Sequence, residues 1–168
     1  MCTQKQFDVY IVVGEQGTGK SSTIRSLINC SVQKEIECTK IINTQNGQLE
    51  IFCKSQSLQE ARLDLQIPKD RNSFLQKIPI SASAIAVALR TRQIKTRKAP
   101  IKIFPKAEDY IDVFANLLKW NIKYIVELSN IKTLKLQQTY NQIYYNYPPL
   151  SSNKPQSLFT SVKSLFGF

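Results

Sequence analysis

The chain has 168 residues, 42% of them hydrophobic, and a formal net charge of +11, a size that suits one domain with a buried core. It contains no histidine, which excludes Ser-His-Asp triads, Cys-His dyads and His-ligated metals, because these need an imidazole. Its four cysteines include no C-x-x-C pair, so neither a disulfide framework nor a zinc site is favoured, and we expect a reducing, cytoplasmic location.

The first part of the chain alternates strand and helix patterns. A β-branched and aromatic run ends in glycine and is followed by apolar residues at helical spacing, and Asn46-Gly47 is a strong hairpin signal. Ser57 and Glu60 have the spacing of a capping box, which predicts a short helix starting there. In chain order, the predicted elements are a strand at 7–13, a helix at about 19–30, and hairpin strands at 35–43 and 48–54.

The second part continues the alternation after a less regular stretch that is punctuated by Pro68 and Pro79. Short runs of small and β-branched residues predict interior strands, and an apolar face with acidic residues near its start predicts a helix. The predicted elements are a strand at 80–89, a short strand at 101–104, a helix at 107–119, a strand at 123–128 and a final helix over 131–145.

This alternation predicts an α/β fold with three layers, a mainly parallel sheet and a hairpin element after the first helix. Residues 1–147 form the predicted domain, and residues 148–168 form a flexible connector with an amphipathic carboxyl-terminal tail. If the tail is helical, its apolar stripe either binds a protein partner or a second copy, or packs on the domain's own core. The stripe contains Leu158, Phe159, Val162, Leu165 and Phe166. We expect no membrane span.

A glycine-rich loop lies between the first predicted strand and the first predicted helix, and it matches G-x-x-x-x-G-K-[ST] in full. Its glycines allow successive backbone N–H groups to point inward, and the helix adds its amino-terminal partial positive charge, which together form a cradle for phosphate. The predicted nucleotide-binding residues are Gly14, Glu15, Gln16, Gly17, Thr18, Gly19, Lys20, Ser21 and Ser22.

The residue types after the loop suit a nucleotide and its metal. Lys20 is expected to reach the β- and γ-phosphate oxygens, and Ser21 is expected to give its hydroxyl to Mg²⁺. Ser22 or Thr23 is expected to contact the α-phosphate.

On these residues the chain resembles the P-loop NTPase superfamily, since Gly14 to Ser21 looks like its Walker A motif. The resemblance implies binding of a nucleoside triphosphate with Mg²⁺ and transfer of a phosphoryl group to water or a substrate. The D-x-x-G and N-K-x-D motifs of Ras-like GTPases are missing, so ATP is favoured over GTP. A Walker B strand that ends in Asp or Asp-Glu is missing as well.

Two polar residues at strand ends are candidates for the role of the missing Walker B carboxylate or for sensing the γ-phosphate. Glu127 follows the apolar run 124–126 and is a candidate catalytic carboxylate that orients Mg²⁺ or polarises water. It is also explained as a strand-end residue paired with a surface cation. Gln56 is a candidate sensor of the γ-phosphate, or an ordinary loop residue.

The positive charge is concentrated after residue 60. Residues 1–60 carry six basic and six acidic side chains, whereas residues 61–168 carry seventeen basic and six acidic ones. The densest stretch runs from Arg90 to Lys106 without an acidic residue. It is explained as a solvated basic loop, as a nucleic-acid contact, or as a lid with Arg90 and Arg92 as catalytic residues. The candidate nucleic-acid contacts are Arg90, Arg92, Lys95, Arg97 and Lys98.

The sequence therefore favours an ATPase or an ATP-dependent switch that acts with a nucleic-acid or protein partner. Two alternatives stay open. One is a small-molecule kinase with an arginine lid, and the other is a nucleotide-dependent assembly module with negligible turnover.

Overall fold

A computed structural model of the chain describes residues 5–30, 34–129, 133–145 and 162–168. Its strands are β1 (Asp8–Gly14), β2 (Glu37–Thr44), β3 (Gly47–Ser57), β4 (Ala84–Leu89), β5 (Ile94–Lys95), β6 (Ile103–Phe104), β7 (Asn121–Leu128) and β8 (Gln142–Tyr145). Its helices are α1 (Lys20–Leu27), α2 (Pro68–Gln76) and α3 (Ala107–Asp112), and α3 continues into a π-helical turn at Val113–Leu117.

The main sheet of the described residues has the strand order β2-β3-β4-β1-β7-β8. Strands β3, β4, β1, β7 and β8 run parallel, and β2 joins β3 as an antiparallel edge strand. Strand β1, which leads into the glycine-rich loop, therefore lies between β4 and β7. Because parallel strands end at the same edge, the loops after β1, β3, β4 and β7 share the carboxyl edge of the sheet.

Both faces of the sheet are covered, which gives the expected α/β layers. Strand β4 shows how this is achieved, because its sequence alternates alanine with larger residues. Ala84, Ala86 and Ala88 face the layer that contains α1, where small side chains let the helix pack close to the sheet. The larger residues Ile85, Val87 and Leu89 face the opposite layer, which contains α2 and α3.

The hairpin is confirmed with its turn shifted by one residue. Gln45 and Asn46 occupy the turn, and Gly47 pairs with Thr44 as the first residue of β3. Further along, the β3–β4 pairing shifts between Lys54 and Ser57. The two intervening residues form a bulge at the carboxyl end of β3.

The predicted helix over residues 131–145 is wrong where the structure describes it. Gln142–Tyr145 is strand β8, paired with β7, and residues 133–141 form no helix, while residues 130–132 lie outside the described ranges. A short run with aromatic residues fits either periodicity, and the open edge of β7 favoured the strand.

The stretch between Pro68 and Pro79 contains a helix that the sequence analysis did not predict. Helix α2 has Pro68 in its first turn, where a missing N–H costs nothing. Only Phe74 of this helix is buried, so the helix lacks a strong apolar stripe. Conversely, Ser57 Oγ accepts a hydrogen bond from Glu60 N–H, as in a capping box, and donates to the Glu60 carboxylate. Residues 58–62 nevertheless form turns rather than the predicted helix.

The described part of the tail packs on its own domain. Residues 162–165 form a helical turn, and Val162 and Phe166 are buried against the α1 face of the sheet. The ring of Phe166 lies 5.1 Å from that of Tyr10. This packing covers part of the stripe predicted to bind a partner, whereas Leu158, Phe159 and the connector from residue 148 lie outside the described residues. None of the helices in the described ranges has the length and apolar character needed to cross a membrane.

Candidate nucleotide-binding site

The loop of residues 14–21 connects the carboxyl end of β1 to the amino end of α1, as predicted. Gly19 is the N-cap of α1 and has a φ of 95°, a left-handed conformation that glycine adopts without strain. Thr23 fixes the start of the helix, because its N–H and hydroxyl both donate to Gly19 O, at 2.8 and 3.0 Å. The first N–H groups of α1 thus point toward the concave side of the loop.

Gly14 is required by close packing rather than by its φ angle. A Cβ atom at this position would lie 2.4 Å from Thr18 Oγ1 and 3.1 Å from the backbone oxygen of Leu128. Thr18 is itself held in place, because its hydroxyl donates to Glu15 O at 2.9 Å. The loop therefore closes tightly against the end of β7.

We expect Gly14→Ala to lower the free energy of unfolding by about 1–3 kcal/mol, the usual cost of overpacking, and to weaken nucleotide binding because the loop must open. Thermal unfolding and ATP titration measure the two effects. Adding Thr18→Ala removes the closest clash and should restore part of the stability, since contacting residues are not additive. Wild-type stability in Gly14→Ala alone would contradict this packing.

Lys20 lies over the loop as a buried cation. Its side chain is 5% exposed, and Nζ donates to Glu15 O at 2.7 Å. An ammonium group buried near a helix amino terminus is in a position to meet an anion. In the structure, Lys20 is the first residue of α1, and its ammonium lies against the loop at Glu15 O.

Ser21 reaches across to β3. Its hydroxyl donates to Ser55 O at 2.8 Å, and Ser55 belongs to the bulge at the end of β3. Gln56, the candidate sensor, is the half-buried second residue of the same bulge. The predicted metal-binding hydroxyl and the candidate sensor therefore lie in neighbouring segments of the carboxyl edge. Ser22 contacts Arg25, whose Nη2 donates to Ser22 Oγ at 3.1 Å.

Arg90 follows β4 directly and meets the glycine-rich loop. Its Nη2 donates to Gln16 Oε1 at 2.9 Å, and its Nε lies 3.3 Å from Glu60 Oε1. The Nε–H is buried and makes no hydrogen bond, because the ion pair with Glu60 is not aligned for one. Gln59 fixes the backbone, since its amide exchanges hydrogen bonds of 3.1 and 2.9 Å with Arg90 N–H and C=O.

Arg92 and Thr91 contact the same loop through Glu15. Arg92 Nε lies 3.5 Å from Glu15 Oε1, and the Thr91 hydroxyl donates to the same oxygen. The two arginines differ in burial, because the Arg92 side chain is 86% exposed and that of Arg90 is 16% exposed. Arg90 is therefore the better oriented of the two candidate catalytic arginines.

Glu60 joins this site although the sequence analysis read it only as a helix-capping residue. It follows β3, accepts a hydrogen bond of 2.6 Å from Ser57 Oγ and forms the ion pair with Arg90. Its position in the sequence could have indicated this role, because Glu60 is a carboxylate that follows shortly after a predicted strand. In the structure, Glu60 contacts Arg90 and thereby orients its side chain.

Glu127 has a different environment. It is fully buried, and its Oε1 accepts hydrogen bonds from the backbone N–H and the hydroxyl of Thr133. Because side chains alternate along β7, Glu127 lies on the face of Ile125, opposite α1. These contacts stabilise the segment after β7 and involve no residue of the loop at 14–21.

We therefore expect Glu127→Gln to lower the free energy of unfolding by about 1 kcal/mol through a weakened charge-assisted hydrogen bond, with ATP affinity and turnover within about twofold of wild type. Chemical denaturation and phosphate release measure these quantities. A catalytic carboxylate would instead lose at least about 100-fold in turnover as the amide, and that result would identify Glu127 as a catalytic residue.

Comparison with protein-family models, curated proteins and solved structures finds no match to this chain. The fold and the site define an α/β chain whose glycine-rich loop lies at the carboxyl edge of a mostly parallel sheet. Four segments meet at this edge: the loop after β1, the bulge of β3, Glu60 and Arg90.

Proposed function

We propose that this chain binds Mg-ATP at residues 14–22 and hydrolyses it, as a small P-loop ATPase or ATP-dependent switch. The observation that carries the proposal is the buried ammonium of Lys20, which lies over a glycine-rich loop at the amino terminus of α1. A buried cation at a helix amino terminus favours a multiply charged anion such as a triphosphate.

The residues of the loop fit this ligand. The backbone N–H groups and Lys20 would hold the phosphates, and Ser21 would hold Mg²⁺. The Nη2 of Arg90, which contacts the loop at Gln16 Oε1, is suited to a phosphate oxygen. When bound, Mg-ATP supplies the phosphoryl group and the divalent charge.

The chain itself would contribute to turnover by holding a positively charged side chain in a fixed orientation beside the loop. Glu60 and Gln59 hold Arg90 beside the loop, and a positive charge fixed there stabilises negative charge that develops during phosphoryl transfer. A fixed group is more effective than a mobile one because it needs no reorganisation during the reaction. Arg90 therefore carries the proposed catalytic role, with Glu60 as a positioning residue.

Titration calorimetry with ATP and with GTP at millimolar Mg²⁺ tests binding, and phosphate release tests hydrolysis. We expect ATP to bind and to release phosphate in water without an added acceptor, which separates an ATPase from a kinase. If neither nucleotide binds, the proposed function is wrong. If ATP binds without phosphate release, the hydrolysis step is wrong and a binding switch is left.

A further inference from the structure

The basic stretch after β4 folds back on itself beside the candidate nucleotide site. Strands β5 and β6 pair as a two-stranded antiparallel ribbon, separate from the main sheet. The hydroxyl of Thr96 accepts from Lys102 N–H at 2.8 Å and donates to carbonyl oxygens of the connecting loop, while Thr96 N–H donates to Lys102 O at 2.8 Å. Residues 94–104, which we call the basic ribbon, are thus held in a defined conformation by backbone and side-chain hydrogen bonds.

A groove of about 650 Å³ lies between the basic ribbon and the turn that follows β3. Four basic side chains line it, and its one acidic residue, Glu60, is paired with Arg90. Apolar residues of the basic ribbon, among them Ile94 and Pro100, line the groove beside these cations. The four basic residues that line the groove are Arg62, Arg97, Lys98 and Lys102.

The cations of the basic ribbon lack acidic partners. Within the described ranges, Lys95, Arg97, Lys98 and Lys102 form no ion pair, and all four are exposed. Residues 1–60, by contrast, are balanced in charge. A concentration of unpaired like charges around a concavity attracts an anion with many charges, because each cation raises the potential at its neighbours.

We propose that this groove binds a single strand of nucleic acid through its phosphates. A strand carries a regular series of charges for the rim of the groove, and its bases supply apolar faces for Ile94 and Pro100 in the groove lining. An acidic protein segment would match the charge but not this repeated alternation of charge and flat apolar surface. The groove shares Gln59 and Glu60 with the support of Arg90, so the strand would lie next to the proposed catalytic arginine.

Fluorescence anisotropy with a labelled 20-nucleotide single-stranded DNA tests the proposal. We expect Arg97→Glu with Lys98→Glu to raise the Kd by at least about tenfold, and to reduce the slope of log K against log salt by about 1.4, since each lost contact removes about 0.7. The matched control is Lys40→Glu with Lys119→Glu, which changes the charge equally at exposed positions in β2 and just before β7. The control should retain more of the affinity and the full salt slope.

Equal weakening in the control, or wild-type binding in the ribbon variant, would overturn the proposal. So would polyglutamate that competes as well as the oligonucleotide, because the partner would then be an acidic protein, and so would tighter binding of a 20-base-pair duplex. Photo-crosslinking of the wild-type chain to the oligonucleotide does not depend on the folding of a variant, and it should label residues 90–104. ATP binding by the ribbon variant, measured separately, should equal wild type, so failure here is distinguishable from failure of the proposed nucleotide site.

Discussion

Lys20→Ala is expected to lower ATP affinity by at least about 30-fold. The ammonium of Lys20 is buried over the loop, and a hydrogen bond to a charged group contributes about 1.5–3 kcal/mol, of which each 1.4 kcal/mol is tenfold in affinity. In the proposed complex Lys20 contacts both β- and γ-phosphate oxygens, so one substitution would remove more than one contact. Titration calorimetry at fixed Mg²⁺ measures the change directly.

The matched control is Lys40→Ala, which removes the same charge from an exposed position in β2. It should leave ATP affinity unchanged, because exposed charges are screened by solvent and salt. Thermal unfolding of both variants checks that each is folded. Equal ATP affinity in Lys20→Ala and wild type would mean that the buried ammonium serves the loop's own structure through Glu15 O and that the proposed nucleotide site is wrong.

Arg90→Ala is expected to reduce phosphate release at saturating ATP by at least about 100-fold, the loss typical for removal of one fixed charge or donor that stabilises developing charge. Its effect on ATP affinity should be smaller, because a group that acts mainly in the transition state changes kcat more than binding. Steady-state phosphate release over a range of ATP concentrations separates the two quantities.

Arg92→Ala is the internal comparison for Arg90. Arg92 is 86% exposed and contacts the loop only through Glu15 at 3.5 Å, and exposed ion pairs contribute about 0–1 kcal/mol, so turnover should fall by no more than about fivefold. Arg90→Lys should fall between wild type and Arg90→Ala, because lysine keeps the charge but loses the planar set of donors. Equal losses in Arg90→Ala and Arg92→Ala would contradict the assignment of Arg90 as the oriented residue.

Glu60→Gln separates orientation from charge at Arg90. The amide keeps the size of the side chain but removes the ion pair, in which Glu60 Oε1 lies 3.3 Å from Arg90 Nε. We expect kcat to fall by about tenfold with little change in ATP affinity. The result expected of a residue with a purely structural role is different, namely a lower melting temperature with unchanged kcat.

Local sequence determined the core of the candidate site. A buried apolar run, glycines at the turn and a helix-forming segment lie within residues 8–27, and each acts on the backbone of its immediate neighbours. The same holds for the hairpin, whose two strands flank a short turn. These features depend on φ and ψ preferences and on periodicity, both of which are properties of neighbouring residues. The placement of the glycine-rich loop and of Lys20 was therefore predictable.

Tertiary structure decided which distant side chains meet that loop. Gln16 and Arg90 are 74 residues apart, and Gln59 and Arg90 are 31 apart, yet they meet because β4 inserts between β1 and β3 in the sheet. Sheet position also placed Glu127 on the face of β7 opposite α1, where it contacts Thr133, and it paired residues 142–145 with the open edge of β7. Strand order and register arise from packing across the whole domain, so no local pattern contains them. The sequence alone thus specified the glycine-rich loop, whereas the fold selected Arg90 and Glu60 as its neighbours.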